Sequence, residues 1–204
     1  MNHYSPISRE YPLILASESP RRKSLLEQVG IPFISLPSNI DETLINAPPS
    51  NVAKILSENK ATAAHEKVQG QWILGADTIV VSDNDILGKP LNDDEARSML
   101  KILSGKGHEV ITGYCIINPV GEIACTDYES AMVSIKDLSD KEVDSYIASG
   151  EPFGKAGGYA IQGIGSFMVE GINGSYSNVV GLPLCALIKR LLDLGALTEF
   201  PILL

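Results

Sequence analysis

Trp72-Ile73-Leu74-Gly75-Ala76-Asp77-Thr78-Ile79-Val80-Val81 is an apolar run interrupted by one carboxylate. A short, nearly continuous apolar segment of this kind, ending in β-branched residues, reads as the central buried strand of a sheet. The cluster Ser82-Asp83-Asn84-Asp85 turns the chain, and Ile86-Leu87 completes a hairpin. Upstream, Leu13 to Ala16 is a second buried strand. Ser19 and Pro20 follow it as N-cap and first helical position, and Leu25, Leu26 and Val29 form the apolar stripe of the helix. Gly30 and Pro32 end that helix, Phe33 to Leu36 is a strand, and Pro37 to Pro49 is a loop. A second helix runs from about Ser50 to His65.

Downstream, Asn92 with Glu95 and Ser139 with Glu142 repeat a helix-capping pattern, the first opening a helix through about Leu103. Between them lie strands over Glu109 to Ile117 and Tyr128 to Ile135, joined by a turn at Asn118 to Glu122. A glycine-rich region from Gly150 to Gly174 precedes an apolar helix near Leu182 to Leu194. Strands alternate with helices while the hairpins are antiparallel, so the expected fold is α/β, a mixed central sheet flanked by helices. Residues 1–204 are expected to form a single domain, with residues 1–11 a loosely ordered extension.

Composition narrows the function. With 44% hydrophobic and 20% charged residues the chain lies in the ordinary globular range. No apolar stretch is long enough for a membrane helix, and the N-terminus lacks the pattern of a signal peptide, which implies a cytoplasmic address. Cys115, Cys125 and Cys185 are widely spaced and read as reduced, core-type thiols. A net charge of −9 disfavours a general nucleic-acid binder, which needs a basic face. A small anion in a local cationic site remains compatible with it.

Ser17-Glu18-Ser19-Pro20-Arg21-Arg22-Lys23 places three cations at the start of a helix, where the macrodipole disfavours each by a few tenths to about 1 kcal/mol. A phosphate chain would reverse that sign. It would accept backbone N–H groups, the hydroxyls of Ser17 or Ser19 and forked bonds from an arginine. Asp77 interrupts a buried strand, and an unpaired charge there is costly unless a metal or lysine faces it, so it is a candidate metal ligand or general base. Lys60 shares a helical register with Val52, Leu56 and Ala63, which turns its stem inward and implies an anion. Lys89, in Gly88-Lys89-Pro90, follows the hairpin, and Glu42 offers a second carboxylate. Gly157-Gly158-Tyr159-Ala160-Ile161-Gln162-Gly163 combines backbone freedom with an amide able to donate and accept toward a base edge.

Together, Ser17 to Arg22, Glu42, Lys60, Gly75 to Thr78, Gly88-Lys89-Pro90, Ser104-Gly105, Gly157 to Gly163, Gly174-Ser175-Tyr176 and Val180 to Leu184 resemble the Maf family of nucleotide pyrophosphatases. The resemblance runs from about Leu13 to Leu192. It implies an elongated two-lobed fold, like that of the inosine triphosphate pyrophosphatases, with a central cleft and often a homodimer. By the same resemblance Asp77 is the catalytic carboxylate, Arg22, Lys60 and Lys89 hold phosphate, and Glu42 joins Asp77 in the region of a divalent Mg²⁺ or Mn²⁺. Arg21, Thr78 and Gln162 match the branch that prefers dTTP and UTP; the branch that prefers 7-methyl-GTP tends to carry tryptophan, glutamine and glutamate there. The departure at Ile55-Leu56-Ser57-Glu58-Asn59, where the family is usually arginine- and alanine-rich, is expected to alter helix packing. The rival expectations are a broader pyrophosphatase acting on modified nucleotides and a non-catalytic nucleotide sensor linked to septum formation.

Overall fold

A computed structural model describes residues 4–38 and 45–202. Its strands and helices are β1 (Leu13–Leu15), α1 (Pro20–Gln28), β2 (Phe33–Ser35), α2 (Pro49–His65), β3 (Ile73–Ser82), β4 (Asp85–Leu87), α3 (Asp93–Leu103), β5 (Gly107–Ile117), β6 (Ile123–Ile135), α4 (Asp140–Ala148), β7 (Val169–Asn173), α5 (Tyr176–Val180) and α6 (Leu184–Asp193). Among the described residues the strands form one seven-stranded sheet in the order β2-β1-β3-β5-β6-β7, with β4 paired to β3. Pairing is parallel for β1 with β2 and with β3, and antiparallel for β3 with β4 and for β6 with β7. The expected mixed sheet is therefore present.

Two compact units divide the chain. The first comprises the residues up to Asp77, Thr112–Glu129 and the residues from Gly181 onward. Its core joins Ile14, Ala16 and Ile73 of the sheet to Ala61 and Ala64 of α2, with Cys115 and Ile117 beside them. Within this unit α2 approaches the sheet at two glycines. A Cβ on Gly75 would strike the carbonyl oxygen of Ser57 and the backbone of Ala61, and one on Gly113 would strike the backbone of Ala53. The helix residues that meet these glycines, Ala53, Ser57 and Ala61, recur every fourth position, so one small-residue stripe of α2 is seated on β3 and β5. Residues ahead of β1 also pack here. Ile7 is buried and donates its amide to the Ala196 carbonyl at 2.8 Å, while Trp72 Nε1 donates to the Ser5 carbonyl at 3.2 Å.

Thr78–Ile111 and Ser130–Val180 make up the second unit. Its core is formed by Val80, Leu100, Leu103, Val133, Tyr146 and Met168, among others. The turn between β3 and β4 holds Asp83 and Asn84 at φ 51° and 71°, the paired left-handed conformation that fits the twist of a two-residue hairpin. The capping reading holds in detail. Asn92 Oδ1 accepts from the Glu95 amide at 2.9 Å, and Ser139 with Glu142 forms a reciprocal capping box.

Three sequence readings need correction. β6 begins at Ile123 rather than Tyr128, because the tight turn organised by Asn118 Oδ1, which accepts from the Val120 and Glu122 amides, leaves no residues to spare before the strand. The glycine-rich stretch holds β7, whose pairing with β6 at Val133 and Ile172 overrides the weak propensity of Gly171. Cys185 is exposed, so it is not a core thiol like Cys115.

Candidate functional site

In the first unit the sheet order β2-β1-β3 contains a change of direction. The chain passes from β1 through α1 to β2 on one side, then through α2 to β3 on the other. Open α/β sheets bind ligands outside the carboxyl ends of strands at such a switch. Pairing of β1 with β3 runs through Leu15 opposite Leu74, and the Ala16 amide donates to the Leu74 carbonyl at 2.8 Å. Ser17 follows the last residue of β1 by two positions, and Asp77 lies on β3 three positions past Leu74.

Among the buried polar residues of this unit are Ser17, 8% exposed as a whole residue, Arg22 at 8%, Lys60 at 9% and Asp77 at 8%. Arg22 Nε donates to the Gly181 carbonyl at 2.8 Å and Nη1 donates to Ser17 Oγ at 3.2 Å, so the guanidinium is fixed at the start of α1. Ser17 Oγ also accepts from the Ser19 amide at 3.2 Å. Ser19 occupies the N-cap position as the sequence suggests, yet its side chain makes no capping bond and the first turn carries no acidic residue. Arg21 is partly buried, and desolvation pulls its guanidinium below the ordinary arginine value, which still leaves it charged.

Lys60 does point inward, and its partner is a carboxylate. Its Nζ donates to Asp77 Oδ1 in an ion pair whose side chains are each 11% exposed. The local cause is the seat of α2 on β3. Gly75 brings the α2 backbone against the strand, Asp77 follows on the same face of β3, and Lys60 precedes the contact residue Ala61 on the helix. Desolvating two ions costs several kcal/mol each, and well-packed apolar residues are often at least as stabilising, so such a pair is weak evidence for stability alone.

The second unit holds the other residues singled out by sequence. Thr78 is half-buried on β3, Lys89 is exposed after β4, and Gln162 is exposed in the segment between two short 3-10 turns. Glu42 lies outside the described residues. The structure therefore brings Ser17 to Arg22 and Lys60 to Asp77. Sequence reasoning missed the Gly181 carbonyl that orients Arg22, since a backbone acceptor so far along the chain leaves no compositional trace. It also missed Glu151 and Tyr146, which bond the segment carrying Gln162. Among the described residues no group of three or more His, Cys, Asp or Glu side chains forms a ready metal cage.

Residues 12–194 match the profile of the Maf-like protein family, and the chain belongs to that family. It is 51% identical over 174 residues to the dTTP/UTP pyrophosphatase of Ruminiclostridium cellulolyticum, covering 84% of this chain and 90% of that one. The dTTP/UTP pyrophosphatase of Syntrophotalea carbinolica is 46% identical over 96% of this chain and 90% of its own length, and that of Bacillus cereus 48% over 88% and 93%. A solved nucleoside-triphosphatase, the dITP/XTP pyrophosphatase of Mycobacterium abscessus, aligns at 16% identity and a TM-score of 0.44 over 90% of this chain and 97% of that one.

Proposed function

We propose that this chain hydrolyses dTTP and UTP to the nucleoside monophosphate and pyrophosphate. The observation that carries the reading is the set of buried polar residues Ser17, Arg22, Lys60 and Asp77, with Arg22 bonded to Ser17 after β1 and Lys60 paired to Asp77 on β3. The names borne by relatives at 46–51% identity support the substrate class. In this reading the first turn of α1 receives phosphate oxygens on its backbone amides and on Ser17, Ser19 and Arg22. Lys60 and Lys89 add positive charge toward the polyphosphate, while Arg21, Thr78 and Gln162 select the nucleotide.

The reaction is attack of water on the α-phosphorus with cleavage of its bond to the oxygen bridging to the β-phosphorus, so that pyrophosphate departs. Asp77 orients the water and takes its proton, and Lys60 holds that carboxylate in one direction. The donor set fits a hard divalent cation, since Mg²⁺ is commonly held by one or two protein carboxylates together with substrate phosphates. Asp77, with Glu42, would hold Mg²⁺ or Mn²⁺, which supplies charge neutralisation on the phosphates. The reading further places the enzyme in the cytoplasm as a homodimer, with nucleotides and not nucleic acids as partners. The net charge of −9 supports the last point, and among the described residues no helix is long and apolar enough to cross a membrane.

The test is pyrophosphate release from dTTP, UTP and 7-methyl-GTP in the presence of Mg²⁺. Turnover of the two pyrimidine nucleotides above the guanosine analogue is the expected result. Tight binding with no release would replace the enzyme by a nucleotide sensor, and faster turnover of 7-methyl-GTP would move the chain to the other branch.

A further inference from the structure

Gln162 stands on a short exposed bridge whose two ends are tied to α4 and the turn that follows it. At one end the Ala160 amide donates to the Tyr146 hydroxyl at 3.2 Å. At the other, Glu151 Oε1 accepts from the Ile164 amide at 2.9 Å and Oε2 from the Gly165 amide at 2.7 Å. The Tyr146 hydroxyl also acts on the Glu151 carboxylate, favouring its charged form. Lys155 Nζ donates to the Glu151 carbonyl at 2.5 Å and to the Phe153 carbonyl at 3.4 Å, which closes the turn that carries the carboxylate. All these residues belong to the second unit.

The surroundings are shaped for this clamp. Gly163 has φ 109°, and a Cβ there would collide with Glu151 Oε1. A Cβ on Gly165 would lie 2.5 Å from the Ala160 carbonyl oxygen and 2.7 Å from the Tyr146 hydroxyl. Both glycines thus leave room for one anchoring atom each. Burial alone would raise the Glu151 carboxyl, but the Gly165 and Ile164 amides and the Tyr146 hydroxyl outweigh it and hold the group below its ordinary value. Burial also raises the Tyr146 phenol far above its usual range, so it keeps its proton and can donate. Charge-assisted bonds from two successive amides are stronger and more directional than neutral ones. The anchors flank the exposed amide while Ala160 and Gly165 are buried, so the ends are fixed and only the reading side chain faces out.

We propose that Glu151 and Tyr146 are positioning residues for nucleotide selection: they hold the bridge from Ala160 to Ile164 so that the Gln162 amide meets the base in one preset orientation. This rests on the assignment of Gln162 to base reading made above. An unclamped bridge would have to be ordered on binding, and that entropy would be charged against affinity rather than against the chemical step.

The test compares Glu151→Ala, Glu151→Gln, Tyr146→Phe, Gln162→Ala and the double variant Glu151→Ala/Gln162→Ala with dTTP and 7-methyl-GTP. Glu151→Ala is expected to raise KM for dTTP about tenfold with less than about a twofold fall in kcat, and to lower the preference for dTTP by a similar factor. Glu151→Gln, which retains one acceptor and keeps the test alive should the alanine variant fail to fold, is expected to recover part of that loss. In the Gln162→Ala background, Glu151→Ala should change the preference no further. Faster hydrogen exchange at the Ile164 and Gly165 amides in Glu151→Ala is expected without nucleotide. An equal loss for both nucleotides, or an unchanged preference in Glu151→Ala and Glu151→Gln where Gln162→Ala shifts it, would overturn the positioning role. If Gln162→Ala itself leaves the preference untouched, the assignment of Gln162 falls first and the proposal with it.

Discussion

The carboxyl end of β1 and the segment from Tyr159 to Gly165 both present polar groups to a nucleotide in this reading, but they manage polarity in opposite ways. At β1 the charged side chains are themselves buried, and each is held by another protein group: Arg22 by Gly181 and Ser17, Lys60 by Asp77. In the 159–165 segment the reading side chain, Gln162, is exposed, and it is the backbone on either side that is pinned. The difference follows from chemistry. Handling a polyphosphate needs fixed charges in a region poor in water, where electrostatic interactions are strong. Telling one base from another needs an adaptable hydrogen-bonding edge set at the right place.

The sharpest way to break this contrast is Asp77→Asn. Loss of a general base typically lowers rate about 10²- to 10⁴-fold, so kcat for dTTP should collapse while circular dichroism shows a folded chain. Full activity would remove Asp77 from the mechanism. Next in size is Gly75→Ala, which forces a carbon against Ser57 and Ala61 and pushes α2 off β3. It should cost about 1–3 kcal/mol in chemical denaturation and also lower kcat, because Lys60 moves with the helix. A stable variant with normal kcat would show that the pair does not depend on this seat.

On the other side of the comparison, Gln162→Glu should cost about tenfold in kcat/KM for dTTP, roughly 1.4 kcal/mol of binding, while shifting stability by less than about 0.5 kcal/mol. A parallel loss of melting temperature would make Gln162 structural. A pH effect on the second unit bears on stability instead. His108, buried beside Tyr159 with Nε2 2.7 Å from the hydroxyl, is pushed down to about 4 by burial, below its ordinary 6.5. Between those values the unfolded chain binds a proton that the folded chain does not, so stability should fall as pH drops from 6.5 toward 4. Replacing His108 with Gln should flatten that slope in pH-dependent melting. The smallest change should come from Arg97→Ala, which removes the surface pair with Asp144, whose side chains are 37% and 56% exposed. A loss too small to separate from the parent protein is expected in denaturant titration, with kinetics untouched.

Much of the fold was legible because its signals are local. Pro20 and Gly30 bracket α1, Asn92 and Ser139 cap α3 and α4, and Asp83-Asn84 makes the hairpin turn, each through contacts within a few residues. β7 was not, because a strand containing Gly171 is defined by its partner β6 rather than by its own residues. At the candidate site the inward turn of Lys60 could be read from helical spacing, and Asp77 from its interruption of an apolar strand. Their mutual contact could not, since it depends on how α2 is laid on the sheet. The inward turn of Arg22 to the Gly181 carbonyl was equally hidden, since that acceptor lies far along the chain.

The two glycine seats under α2 act as a gauge. Where α2 rests backbone to backbone on Gly75 and Gly113 no compressible side chain lies between helix and strand, so at those two points it cannot settle closer by swapping one rotamer for another. The spacing between a lysine on the helix and an aspartate on the strand is therefore set by two absent methyl groups, and a single added carbon at either place would be felt at the chemistry.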